Sequence, residues 1–192
     1  TPNDLAQGMR TSRTKTIGIV IPDYGNPFYP ELLKGIESRA RESGYMTQVC
    51  NTDMDAETEY DRLQELVRRQ TDGIVLCSYN RIPRDLEYLS EIAARIPVVV
   101  MDPVVENEAL SSVVTDGQTG TCDAVRYLVS LGKKRIGYIK GPDRLYVTKE
   151  RFSGYKCGLE AAGLAYDPDL VYEADFSMES GCRGMEYFHG KG

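Results

Sequence analysis

Three segments gather side chains suited to recognising a small molecule: Asp23-Tyr-Gly-Asn-Pro-Phe-Tyr29, Gly141-Pro-Asp-Arg-Leu-Tyr-Val-Thr-Lys-Glu-Arg151 and Asp175-Phe-Ser177. Each follows a short apolar run, and the carboxyl ends of strands are where open parallel α/β sheets bind ligands. In the first segment Phe28 and Tyr29 stand at the start of a helix, where core or hinge packing is an equal alternative to ligand contact. In the second, Arg151 lies one turn into a helix, where its planar fork could grip hydroxyls or a carboxylate. A plain surface arginine fits that spacing equally well. In the third, Phe176 follows a strand and offers a ring face for stacking.

Covalent and metal chemistry have little to build on. The single histidine, His189, lies near the end of the sequence in a polar context and reads as a surface residue. With no second histidine there is no HExxH zinc site and no Ser-His-Asp triad. The turn Pro22–Phe28 lacks the GxGxxG that cradles a pyrophosphate. Gly132-Lys133-Lys134 has no upstream phosphate-loop glycine at the right spacing, and Gly117-Gln-Thr-Gly120 reads more simply as a turn at a helix start. The five cysteines (Cys50, Cys77, Cys122, Cys157, Cys182) are odd in number, scattered and without a CxxC. Reduced thiols of a cytoplasmic protein fit that usage better than a disulfide framework or a zinc site. The expectation is a binding protein with no catalytic residue, no metal and no cofactor. A Rossmann-like enzyme is the rival from another class, and the missing phosphate loop and base disfavour it.

The elements that must position these segments follow from periodicity. Ile17–Ile21, Tyr45–Cys50, Gly73–Cys77, Pro97–Met101, Ser112–Val114, Ile136–Ile139 and Val171–Ala174 read as strands, mostly without polar alternation, as in strands buried on both faces. Between them lie helical patterns: Leu33, Ile36 and Ala40 up to Gly44; Asp55 to about Arg69; Arg84–Ala94; a helix capped by Asp116 and ending at Gly132; Thr148–Ala162; and one capped by Ser177 that stops at His189. Repeated βα units imply parallel sheets flanked by helices. The expected division is a segment 1–13, a lobe 14–133 and a partial lobe 134–192. The last stretch supplies only two strands and two helices, marginal for a core of its own. This favours a fragment of a longer chain, as does the absence of an initiator Met. No apolar run is long enough to span a bilayer.

The 192 residues carry 23 Lys+Arg against 29 Asp+Glu, a net charge of −6, which argues against nucleic-acid binding by the surface as a whole. Residues 1–16 differ: Arg10, Arg13 and Lys15 stand against Asp4 alone. Pro2 suits a helix start, and Leu5, Ala6 and Met9 would share one helical face. So short a helix is marginal in water and would order on binding. DNA phosphates fit that role, with Met9 as an apolar wedge in the minor groove; a frayed tail is the alternative.

Thr1-Pro-Asn-Asp-Leu-Ala-Gln-Gly-Met-Arg-Thr-Ser-Arg-Thr-Lys-Thr-Ile-Gly18 followed by Ile21-Pro-Asp-Tyr-Gly-Asn-Pro-Phe-Tyr29 resembles the lac repressor/purine repressor (LacI/GalR) family of bacterial transcription regulators. Asp72-Gly-Ile-Val75, Val99-Val-Met-Asp102, Thr115-Asp-Gly117, Arg135-Ile-Gly137, Gly141-Pro142, Arg151-Phe-Ser-Gly-Tyr155 and Asp175-Phe-Ser-Met-Glu-Ser-Gly181 match that family in order. The resemblance implies a two-lobe, periplasmic-binding-protein-like α/β fold whose second lobe is incomplete in this chain. A sugar or related effector would bind between the lobes. It implies effector contacts at Phe28, Tyr29, Asp116, Arg151 and Phe176, with Tyr146 and Val147 in a variable specificity loop alongside Leu145. It implies a DNA-binding hinge at Asn3, Ala6, Met9 and Arg10, following a helix-turn-helix headpiece absent from this sequence. It also implies a homodimer on operator DNA, with no membrane partner. Gln7, Gly8 and Met9 depart from the hinge pattern, and glycine costs about 1 kcal/mol against alanine inside a helix. The rival within the same architecture is a periplasmic sugar-binding protein.

Overall fold

The computed structural model describes residues 13–78, 83–102 and 110–191, with the side chains of 83–86 left aside. The hinge residues Asn3, Ala6, Met9 and Arg10 lie outside the described residues. By contacts the chain divides into two compact units, with the division between Val114 and Thr115.

The first unit is a five-stranded sheet in the order β2-β1-β3-β4-β5, every neighbouring pair parallel. Its strands are β1 (Thr16–Ile21), β2 (Met46–Asn51), β3 (Gly73–Cys77), β4 (Val98–Met101) and β5 (Ser111–Val113). The helices between them are α1 (Phe28–Glu42), α2 (Ala56–Arg68) and α3 (Pro83–Ala93). Side chains alternate across each strand. Val20, Ile74, Leu76, Val98 and Val100 pack with Leu63 and Leu66 of α2 and Leu89 and Ile92 of α3. Ile19, Ile21, Val75 and Cys77 face the other way, against Tyr29, Leu32, Leu33 and Ile36 of α1. Both faces are covered, which is why the inner strands β1, β3 and β4 read as unbroken apolar runs.

The second unit holds α4 (Gly117–Ser130), β6 (Tyr138–Lys140), α5 (Tyr146–Ala161), a short 3₁₀ turn Pro168–Leu170, β7 (Val171–Glu173) and α6 (Met178–His189). Strands β6 and β7 pair in parallel. The strand expected at Ile136–Ile139 starts later. The buried Ile136 carbonyl instead accepts from the Tyr155 hydroxyl at 2.8 Å, which draws this stretch onto α5. Val125, Ile136, Tyr155 and Leu159 form the core. Helix α4, grouped by the sequence with the first lobe, packs on α5 in this unit. The division therefore falls before the helix and not after Gly132.

Glycines let α4 and α5 meet backbone to backbone. A Cβ on Gly154 would stand 2.1 Å from the Gln118 carbonyl oxygen, and one on Gly158 would stand 2.6 Å from Val125 Cβ. Among the described residues no helix is long and apolar enough to cross a membrane.

Candidate functional site

The second unit brings together most of the residues singled out in the sequence. Asp116 caps α4, accepting the Thr119 amide at 2.8 Å, and that bond holds its exposed carboxyl below the usual range. The next residue, Gly117, leaves room for Arg151: a Cβ there would meet Arg151 Cγ at 3.1 Å. The arginine stem thus crosses the start of α4 at Gly117. Among the described residues no acidic group lies within ion-pair distance of its exposed guanidinium. Lys140, at the end of β6, is the opposite case. Its side chain is 11% exposed and bridges Asp143 and Glu173, with Glu173 at 3.1 Å. Burial works to lower its pKa, but the hydrogen bonds and charges of Asp143 and Glu173 outweigh that and raise it. Lys140 is thus a paired cation, whereas Arg151 has no acidic partner among the described residues.

Phe176 sits in a left-handed turn (φ 70°) between β7 and α6. The turn is tied by Asp175, which accepts the Ser177 amide at 2.9 Å and the Ser180 hydroxyl, while Ser177 caps α6 through the Ser180 amide at 3.1 Å. Hydrogen bonds from Ser177 and then Ser180 hold the Asp175 carboxyl far below the usual range. The ring lies against Gly141, where a Cβ would be 2.2 Å from Phe176 Cζ and 2.8 Å from Thr148 Oγ1. Tyr146 and Val147 are half-buried in the first turn of α5, and the Tyr146 hydroxyl bonds Glu150 at 2.6 Å. Asp116, Tyr146, Val147, Arg151 and Phe176 therefore all lie in this unit, at helix starts or strand ends.

Phe28 and Tyr29 belong to the first unit and part company there. Consecutive helical residues point about 100° apart, 3.6 residues making a turn. Tyr29 is accordingly buried with Ile19, Ile21 and Cys77, whereas Phe28 is exposed past the end of β1, its ring edge-on to Tyr29 at 5.2 Å. The loop before them is held by Asx bonds from Asp23 to Gly25 and from Asn26 to Phe28.

Thr148, near the site, and Asp102, in the first unit, were not among the candidates read from the sequence. Thr148 is 2% exposed with an unpartnered hydroxyl in the first turn of α5, whose cap position, Leu145, offers no side-chain bond. Asp102 follows β4 in a left-handed conformation (φ 45°). An aspartate closing the run Val98–Met101 is a visible signal for the latter; nothing in sequence marks Thr148. His189 is exposed at the end of α6, and among the described residues no cluster of three or more His, Cys, Asp or Glu could hold a metal.

Residues 14–187 match the model of the family described as periplasmic binding proteins and sugar binding domain of LacI family. The chain is 33% identical over 190 residues to the HTH-type transcriptional regulator RegA of Clostridium saccharobutylicum, covering 98% of this chain and 57% of that protein. To the HTH-type transcriptional regulator DegA of Bacillus subtilis it is 35% identical over 182 residues, 94% of this chain and 54% of DegA. The chain thus spans about half the length of these curated relatives. Similar solved structures include the transcriptional regulator CelR in complex with cellobiose (TM-score 0.79, 28% identity, 93% of this chain and 56% of that one). Another is the Cra transcriptional dual regulator of Pseudomonas putida with fructose 1-phosphate (TM-score 0.79, 26% identity, 93% and 65%).

Proposed function

The chain belongs to the family of periplasmic binding proteins and LacI-type sugar-binding domains, and on that premise we propose that it is the effector-sensing part of a DNA-binding transcriptional regulator, not a transport receptor. Its curated relatives RegA and DegA are HTH-type regulators, which supports this choice. The effector is a sugar or related small metabolite. The observation that carries the reading is Arg151, an arginine without an acidic partner among the described residues, laid across Gly117 at the start of a helix. A guanidinium so placed donates two parallel hydrogen bonds to vicinal hydroxyls or an acid group.

The remaining assignments follow from chemistry. Phe176 presents a ring for stacking against the apolar face of a sugar, and its tied turn keeps that ring in place before ligand arrives. Asp116 accepts from a hydroxyl with the lone pairs its cap bond leaves open. Tyr146 and Val147 shape the neighbouring surface, and Phe28 is an exposed aromatic of the first unit open to an effector. Tyr29 supports Phe28 from the core. Asn3, Ala6, Met9 and Arg10 form a hinge that meets operator DNA, preceded by a headpiece in the intact cytoplasmic homodimer. The lobe boundary that serves this mechanism is Val114–Thr115, since α4 then moves with Arg151. Effector changes DNA affinity only through its differential affinity for the two arrangements of the protein.

Calorimetric titration of the purified protein with cellobiose, simple monosaccharides and fructose 1-phosphate tests the site. Arg151→Ala should lower affinity for whichever sugar binds by roughly 30- to 150-fold, the worth of a charge-assisted pair of about 2–3 kcal/mol. Retained affinity in a folded variant would overturn the assignment.

A further inference from the structure

Helices α4 and α5 carry more than Asp116 and Arg151. Cys122 on α4 donates its S–H to Cys157 on α5 with the sulfurs 3.2 Å apart, and both are free thiols. Cys157 is exposed and Cys122 half-buried, so solvent reaches the pair. The backbones are held close beside them. A Cβ on Gly158, the residue after Cys157, would stand 3.0 Å from the Cys122 carbonyl oxygen, and the contact between Gly154 and Gln118 clamps the helices one turn earlier. A disulfide requires Cα atoms about 4.4–6.8 Å apart, and these contacts bring the two backbones together beside the pair. The other thiols are unlike this pair. Cys50 and Cys77 are core residues, and burial pushes the Cys77 thiol up to about 12. Cys182 is exposed on α6 with no thiol neighbour among the described residues.

We propose that Cys122 and Cys157 are a modification site: a hydroperoxide oxidises them to a reversible disulfide that staples α4 to α5. Cys157 gives its proton to water, and the exposed thiolate attacks the terminal oxygen of the hydroperoxide. The S–O bond forms as the O–O bond breaks. The departing alkoxide takes a proton from water and leaves as an alcohol, or as water from hydrogen peroxide, with Cys157 now a sulfenic acid. The Cys122 sulfur then attacks the Cys157 sulfur. The S–O bond breaks, and the hydroxide takes the Cys122 proton and leaves as water. Two thiols and one peroxide thus give one disulfide, one alcohol and one water. The bond to Cys157, ahead of burial, pushes the Cys122 thiol up, which keeps Cys122 protonated and suits it to the resolving role. Cys122 lies five residues after Gly117 and Cys157 six after Arg151, about one and a half turns in each helix. The cross-link therefore fixes the register of the two helices that lay the Arg151 stem across Gly117. This inference needs only the helix pair and does not depend on the identity of the effector.

Peptide mapping of the intact protein after stoichiometric hydrogen peroxide is the test. Trypsin leaves Cys157 and Cys182 in one peptide, 157–183, so a second cleavage after Glu160 is required. The expected product is a Cys122–Cys157 link, 2 Da lighter than the two thiols, formed equally in Cys182→Ser, reversed by dithiothreitol and raising the thermal midpoint. In Cys122→Ser the link should vanish and Cys157 gain 16 or 32 Da. A Cys157–Cys182 link, a purely intermolecular one, or two free thiols after peroxide treatment would each overturn the proposal.

Discussion

Replacing Gly154 by alanine is the sharpest probe of how the second unit is assembled. The added methyl would stand 2.1 Å from the Gln118 carbonyl oxygen and 3.0 Å from its carbon. An ordinary carbon–oxygen contact is about 3.3–3.6 Å, so the helices must part by roughly an ångström. The obstacle is backbone in the first turn of α4, which no rotamer change can move aside. Overpacking of this kind reaches about 3 kcal/mol, and the better helix propensity of alanine returns about 1 kcal/mol, leaving a net loss of about 2 kcal/mol. Gly120, also in α4, is the control, because a Cβ there meets nothing within 4 Å. Gly120→Ala should gain about 0.5–1 kcal/mol from backbone entropy alone. Urea unfolding followed by circular dichroism separates them. With a slope of about 2 kcal/mol/M, the Gly154→Ala midpoint falls by about 1 M while the Gly120→Ala midpoint rises. A Gly154→Ala midpoint at or above that of the unmodified protein would refute the close crossing. It would also remove the reason for placing Gly117 against Arg151.

The protein contains no tryptophan, so Phe176→Trp creates a single fluorophore at the stacking position, and its emission should shift on addition of a bound sugar but not of a non-binding one. Asp175 is held far below the usual carboxylate range by Ser177 and Ser180. Such a group adds stability above its unfolded pKa, near 4, and the contribution is lost as pH falls through the lowered folded value. Asp175→Asn should therefore flatten the acid decline of stability below about pH 5, read from thermal midpoints at stepped pH. Native-state alkylation at pH 8 should label the exposed Cys157 and Cys182 quickly while the buried Cys50 and Cys77 stay protected; early labelling of Cys77 would contradict its place in the core. Tyr155→Phe should cost about 1 kcal/mol by orphaning the Ile136 carbonyl, measured in the same urea assay.

Much of the architecture was legible because both faces of the first sheet are covered, so its strands carry apolar residues at consecutive positions and stand out against the amphipathic helices. The caps at Asp116 and Ser177 were equally visible, since each is a short polar side chain just ahead of a periodic run, and each bonds an amide three residues on. The partition of α4 was not legible. Gly132-Lys133-Lys134 looks like a boundary, yet glycine there ends a helix in a left-handed turn (φ 79°), whereas by contacts the two compact units part in a stretch without glycine or proline between Val113 and Gly117. Punctuation marks turns, and units are separated by packing. The glycines of α5 that decide that packing look like helix weakeners until the partner helix is known. For the same reason Cys122 and Cys157, thirty-five residues apart, do not announce each other. Arg151 was legible as a candidate because of its type and position, but its lack of an acidic partner among the described residues required the fold.

A small molecule held by Arg151 should alter the grip of the intact protein on DNA. The direct measurement is the affinity of that protein for its promoter fragment, at fixed salt, with and without the sugar found by calorimetry. A change of about 5- to 150-fold is expected, one that disappears in Arg151→Ala while affinity without sugar stays the same. DNA affinity that ignores a bound sugar, or a response that survives loss of the guanidinium, would contradict it.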